Sequence, residues 1–153
     1  MSLRTNDNRW MSARDRPLTA WIMRDYTKIE AWKLADDLTV AIYQSTQLFP
    51  REELYGLTSQ LRRAASSVPA NIVEGSARES QRDYLHFLHI ARASLSEAQY
   101  FLHLANRLNY LKADDAVLLH QQTKQVFACL HGLTRAVARQ VHAPASSPWS
   151  RSP

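Results

Sequence analysis

Between Tyr84 and Leu108 the apolar residues Tyr84, Phe87, Leu88, Ala91, Leu95, Ala98, Leu102, Ala105 and Leu108 return every three or four positions. A strand repeats every two residues, whereas one face of a helix repeats at this spacing. The run predicts a long helix with one side to bury. Ser80 followed by Asp83 supplies its N-cap and an acidic group in its first turn. Three other stretches carry the same period: Ala31, Ala35, Leu38, Ile42 and Phe49; Leu54, Leu57, Leu61, Ala65, Val68 and Ile72; and Leu119, Val126, Leu130, Leu133 and Val137. The chain has only three glycines and its β-branched residues are scattered, so strands have little support.

These runs predict an all-α protein. The first helix is expected over about Lys28–Leu48, closed by Phe49-Pro50. Pro50 suits the first turn of the next helix, where Glu52 and Glu53 favour the helix dipole. That second helix ends at Gly75, expected just past the helix end in left-handed backbone. A break near Asn109–Lys112 leads to Asp114 and Asp115 and a fourth helix, in which Gly132 costs about 1 kcal/mol relative to alanine. Four helices of similar length with short connections predict an up-down-up-down four-helix bundle. One domain over residues 26–141 fits a chain of 153 residues with 45% hydrophobic content. Residues 1–25, which include Trp10 and Trp21 without a sustained period, read as a disordered N-terminal extension. Residues 142–153, rich in Pro and Ser, read as a disordered tail.

The segment from Gln60 to Gly75, QLRRAASSVPANIVEG, breaks a helix rule in its own middle. Pro69 lacks an N–H and crowds the carbonyl of Ala65, which costs about 3 kcal/mol in a helix interior. On the same helix Gln60, Arg63, Ser67, Asn71 and Glu74 form a polar stripe beside the apolar one, flanked by Ala64, Ala65, Ser66 and Ala70. The small residues let another helix approach closely while Asn71 and Glu74 hydrogen-bond across the gap. This stripe is either a ligand or nucleic-acid site or a kinked, hydrogen-bonded interface. The interface is favoured, because satisfied polar networks commonly fix register or partner.

Charge narrows the function classes. The formal net charge is +5, but the segments before Tyr26 and after Ala138 hold +2 each, leaving +1 between them. Arg62, Arg63, Arg78 and Arg82 are candidate phosphate contacts, strongest if several copies of the chain bring them together. Interleaved Glu74, Glu79 and Asp83 offer the alternative of salt-bridged helix faces. Asp83, His86 and His89 share a helix side, but no Glu-x-x-His occurs, so neither a metal site nor a cofactor is expected. Arg82 with His89 resembles the arginine–histidine pairs of small helical ribonucleases. The chain has no glycine-rich phosphate loop, no Gly-x-Ser-x-Gly and no zinc-type cysteine pair. Cys129, beside Phe127, Ala128 and Leu130, is expected to be a buried, inert thiol. No apolar stretch approaches the roughly 20 residues of a membrane span, and the N-terminus lacks the apolar core of a signal peptide. A reducing cytoplasm is the expected setting.

Three blocks carry a family likeness: IEAW at Ile29–Trp32, FPREELYGLTSQLRRAASSVPANIVEG at Phe49–Gly75, and FLHIARASLSEAQYFL at Phe87–Leu102. Over Tyr26 to about Arg139 the chain resembles the four-helix-bundle proteins of intervening sequences in 23S ribosomal RNA genes, also called S23-like proteins. The resemblance implies an up-down-up-down bundle that assembles as a ring-shaped homopentamer without established enzymatic activity. The chain is also similar to accessory proteins of diversity-generating retroelements, whose basic pentameric barrels engage nucleic acid and a reverse transcriptase. A folded region at +1 departs from that pattern unless its charges are segregated. Family members commonly begin just before a stretch similar to MRDYTKIEAWKLA, so Met23 is the expected natural start. The resulting expectation is a non-enzymatic, self-associating helical module that partners with RNA or a nucleic-acid-handling protein. Gln60, Ser67, Pro69, Asn71, Glu74 and Gly75 are its candidate interface motif. The rival is a ribonuclease using Arg82 and His89.

Overall fold

Four helices form the described chain: α1 (Glu30–Ser45), α2 (Leu57–Ser76), α3 (Gln81–Arg107) and α4 (Ala113–His142). This computed structural model describes residues 24–142. Residues 1–23, with the expected start at Met23, and the tail beyond His142 lie outside the described residues. No strand occurs among the described residues. The helices are not of similar length. They hold 16, 20, 27 and 30 residues, so α3 and α4 are about 40 and 45 Å long at 1.5 Å per residue.

Cross-helix hydrogen bonds show that neighbouring helices run antiparallel. Thr39 and Thr46 of α1 and its C-terminal extension meet Ala65 and Arg62, while Arg63 and Ser67 of α2 meet Glu97 and Ser94 of α3. In each pair one number rises as the other falls. The interface of α2 with α3 is the most extensive, followed by α3–α4, α1–α2 and α1–α4, and the diagonal pairs barely touch. This is the up-down-up-down arrangement. At its centre Leu38, Ile42, Leu61, Ile72, Leu88, Leu95, Leu119 and Leu130 are fully buried. Each contributes about 1.5–3 kcal/mol relative to exposure. Ala64 and Ala65 of α2 and Ala91, Ala98 and Ala105 of α3 are buried as well, and their small side chains permit close helix approach.

The connections differ from expectation in physical detail. After Phe49-Pro50 the chain makes a single 3-10 turn (Arg51–Glu53), and α2 begins only at Leu57. Leu54, expected on the buried face, is therefore 50% exposed. Glu53 still serves the helix start, but from outside it: its Oε2 accepts a hydrogen bond from the Leu57 N–H at 2.9 Å. The Tyr110 hydroxyl donates to Glu53 Oε1 at 3.4 Å, joining the α1–α2 and α3–α4 connections at one end of the bundle. Burial and, after it, the Glu53 charge push the Tyr110 phenol up from its ordinary value. The α3–α4 connection turns through Asn109 at φ 59°, a left-handed conformation that asparagine tolerates. Ser80 caps α3, its Oγ accepting from the Asp83 N–H at 3.0 Å. Gly132 faces open space on α4.

Gly75 requires a correction. It lies inside α2, and no described glycine has positive φ. Its value is the absence of a side chain: a Cβ there would stand 2.8 Å from Phe87 Cβ and 2.9 Å from Tyr84 Cδ2. Glycine lets the end of α2 touch the first turns of α3. Arg24, assigned by sequence to the N-terminal extension, braces the same corner. It donates to the Arg78 carbonyl at 2.9 Å and its guanidinium lies 4.6 Å over the Tyr84 ring. Burial pushes the Tyr84 phenol up, and Arg24 opposes that shift.

Candidate functional site

Pro69 sits buried in the middle of α2, and the helix continues through it. The carbonyl it deprives of a helical donor belongs to Ala65. Thr39 of α1 supplies the replacement, its Oγ1 lying 3.1 Å from Ala65 O and 2.8 Å from Ala35 O, so that one hydroxyl hydrogen is shared between two carbonyls. The proline thus creates an acceptor on α2 that α1 answers. Its rule-breaking is resolved inside the subunit.

The polar stripe on α2 lies along the contact with α3. Ser67 and Ser94 hydroxyls pair at 2.9 Å, and Arg63 reaches Glu97 at 2.7 Å while also donating to Gln60 at 3.1 Å. Asn71 does not cross the gap as expected. Its Nδ2 donates back along α2 to Ser67 O and Oγ at 2.8 and 3.0 Å. Glu74 likewise pairs with Arg78 one turn on. These two side chains are short of α3 because they bond to nearer groups on their own side of the seam.

Three of the four candidate phosphate-binding arginines are engaged within the subunit. Arg62 donates from Nε to Thr46 Oγ1 at 2.8 Å and lies 4.8 Å over the Tyr43 ring, beside the C-terminus of α1. Arg63 is held by Glu97, and Arg78 by Glu74 and the Phe87 ring at 4.8 Å. Arg82 is exposed near the start of α3 without an ion pair among the described residues. Arg62 and Arg78 are sixteen positions apart, about 24 Å along the α2 axis and just past its end, so one subunit does not gather the four at a single point. Arg82 and His89 are both exposed, two helical turns apart on α3. Asp83, His86 and His89 are exposed too, and no group of three or more metal-ligating side chains converges among the described residues. Cys129 is half-buried, not buried. Burial, with Glu30 nearby, pushes its thiol up and disfavours the thiolate.

A larger electrostatic feature surrounds Arg82 and extends onto α4, whose cations the sequence motifs do not include. From Ala116 to His142 there is no carboxylate, and His120, Lys124, His131, Arg135, Arg139 and His142 fall on one exposed ridge of α4. Facing the same side, α3 exposes Arg82, His89, Arg92, His103 and Arg107. Its two carboxylates are placed elsewhere: Glu97 pairs with Arg63 on the α2 side, and Asp83 lies on that side of the helix by periodicity. All six histidines of the chain are on the exposed faces of α3 and α4. The long acid-free run in the sequence was the available signal. The net charge of the whole domain conceals it.

Between the C-terminal half of α3 and the first turns of α4 this face opens into a groove of about 620 Å³. Tyr100, His103 and Asn106 line one wall and Val117, His120 and Thr123 the other. Such an arrangement can hold a planar group by contact with the tyrosine ring, and the lysine and arginines of the flanking ridges can attract phosphates beside it.

The residues and fold agree with known proteins. Residues 27–132 match the family described as 23S rRNA-intervening sequence protein. A solved structure of a protein of unknown function from the S23 ribosomal protein family of Bacteroides thetaiotaomicron shares the fold with a TM-score of 0.63. It is 21% identical, over 69% of this chain and 95% of that one. No curated protein matches the chain. With more than half of its length matched, and with the bundle and the Phe49–Gly75 block in place, the chain belongs to the 23S rRNA-intervening sequence protein family.

Proposed function

We propose that this protein is a non-enzymatic, cytoplasmic RNA-associated module that binds through the combined outer face of α3 and α4. The observation that supports the reading is charge segregation. That face carries arginine, lysine and histidine over the length of two long helices, while the carboxylates of the domain belong to α1, the connections, the helix starts and the α2 side. Phosphate chains are attracted to such a surface, and a near-neutral total does not oppose it when acids and bases lie on different sides. No described helix is long and apolar enough to cross a membrane.

The test is retention of single-stranded RNA on filters over a salt series. Binding is expected to weaken linearly in log–log form, with a slope of about −0.7 for each phosphate neutralised. Absence of binding even at 50 mM salt would remove the reading. The ribonuclease alternative places Arg82 and His89 at the same face. It predicts RNA cleavage lost in His89→Ala, and intact RNA after prolonged incubation excludes it.

Self-association is part of the proposal, with the ring of five copies that the family likeness implies. Leu48, Leu54, Tyr55, Leu108 and Leu118 are all exposed at the end of the bundle where α1 and α3 finish and α2 and α4 begin. Grouped exposed apolar side chains of this kind mark contact surfaces. Light scattering at micromolar concentration is expected to show an oligomer, and a monomer there defeats this element.

A further inference from the structure

We propose that the groove between α3 and α4 is a pocket for an unpaired nucleobase of single-stranded RNA whose phosphates lie on the basic ridges beside it. The inference rests on the RNA-binding reading and adds what the protein recognises besides charge. Tyr100 is 58% exposed at the groove wall, where a tyrosine ring has no core to fill. The ring meets Phe101 in a tilted contact at 5.5 Å between centroids, and its exposed surface suits stacking against any base, a contact that tolerates sequence and needs the base to be out of a duplex. Asn106 and Gln99 line the same groove, and their amides offer both donors and acceptors to a base edge. Among the described residues neither amide is engaged in an internal hydrogen bond. His103 and His120 face the groove from opposite helices.

The surroundings select a nucleotide over a neutral aromatic ligand. Along α3, Arg92 and Arg107 occupy the same stripe as Tyr100, two turns before it and two turns after it. Lys124 follows His120 by one turn on α4, and Arg135 continues that ridge. The groove therefore opens onto a cationic track along α3 and the later turns of α4, while Asp114 and Asp115 in the first turn of α4 bound its other end. A volume of about 620 Å³ falls within the range of small-molecule pockets, about 300–1,000 Å³. A duplex fits poorly, since its bases are stacked on one another and unavailable to Tyr100.

The deciding experiment compares two fluorescein-labelled probes with equal phosphate number: a twelve-nucleotide oligoadenylate and a twelve-unit abasic strand. With full-length protein at low salt, oligoadenylate is expected to bind about tenfold more tightly, within the range that stacking on one aromatic side chain supplies. Tyr100→Ala, at an exposed position, is expected to erase the preference and leave abasic binding unchanged. Lys124→Glu is expected to weaken both probes together. Equal binding of the two probes by the native protein, or an unchanged preference in Tyr100→Ala, overturns the base pocket while leaving RNA binding by charge intact. Failure of both probes to bind overturns the RNA-binding reading itself, and the pocket with it.

Discussion

Helix α3 has two neighbours, and the polar residues on its two sides do opposite things. Toward α2 they are matched: Ser94 meets Ser67, Glu97 meets Arg63, and the rest of the α2 stripe is satisfied along its own helix. Toward α4 they are unmatched, with cations on both ridges and an open groove between them. Matched polar groups hold a fold in register, whereas like charges facing solvent cost folding energy and attract a partner of opposite sign. One helix thus separates a side that stabilises the subunit from a side suited to binding. Substitutions on the two sides should therefore separate stability from affinity.

The largest expected effect is on the binding side. The triple change Lys124→Glu, Arg135→Glu and Arg139→Glu should lower affinity for single-stranded RNA about 100-fold or more at 50 mM salt, because it replaces three attractions with repulsions. Its thermal midpoint should move little, since all three residues are exposed. Arg62→Gln and Arg63→Gln, made together, should do the reverse. A variant of the α2 pair that loses as much affinity as the α4 triple breaks the comparison.

Next in size is the close contact at the end of the matched side. Gly75→Ala gains helix propensity of about 1 kcal/mol. Its Cβ must displace Phe87 Cβ and the Tyr84 ring, which are packed against the helix. Overpacking of this kind costs about 1–3 kcal/mol, so net destabilisation of about 1 kcal/mol is expected from urea unfolding. A more stable variant would show that the corner yields freely.

Pro69 permits a sharper test, because two residues on different helices share one carbonyl. Thr39→Val removes the hydroxyl that answers Ala65 O and should cost about 1 kcal/mol in the native background. In Pro69→Ala an N–H is restored toward the same carbonyl, and Thr39→Val should cost visibly less. A double-mutant cycle is expected to give a coupling of about 0.5–1 kcal/mol. A coupling of zero would mean that the threonine bonds only to Ala35.

The bundle was legible in the sequence because burial imposes a period. Ala31, Ala35, Leu38 and Ile42, and likewise Leu61, Ala65, Val68 and Ile72, were placed in the core by spacing alone and are buried there. Ser80 was legible as a cap because its chemistry is local. Gly75 was misread because its reason lies across a gap, in Phe87 and Tyr84, where helix-end grammar has no view. Thr39 was not selected because its role depends on a carbonyl freed by a proline thirty residues later. The basic face escaped for a different reason. A sum over the domain averages the acid-free stretch Ala116–His142 against Glu30, Asp36 and Asp37 on another helix, and only a helix-by-helix reading separates them.

The smallest effect tests whether the matched side depends on its charges at all. Arg63 and Glu97 approach to 2.7 Å, but their side chains remain 62% and 39% exposed, so water screens much of their attraction. A double-mutant cycle with Arg63→Gln and Glu97→Gln should give a coupling of about 0.3–0.5 kcal/mol at low salt. In 1 M salt, where the screening length falls to about 3 Å, that coupling should nearly vanish. The Ser67–Ser94 hydrogen bond joins neutral groups in a half-buried setting, and its coupling should persist under the same conditions. If the ion pair proves the stronger and the more salt-resistant of the two, the α2–α3 seam is held by charge. The serine bond would then be incidental, and the contrast between a satisfied neutral interface and an unsatisfied charged face would have to be redrawn.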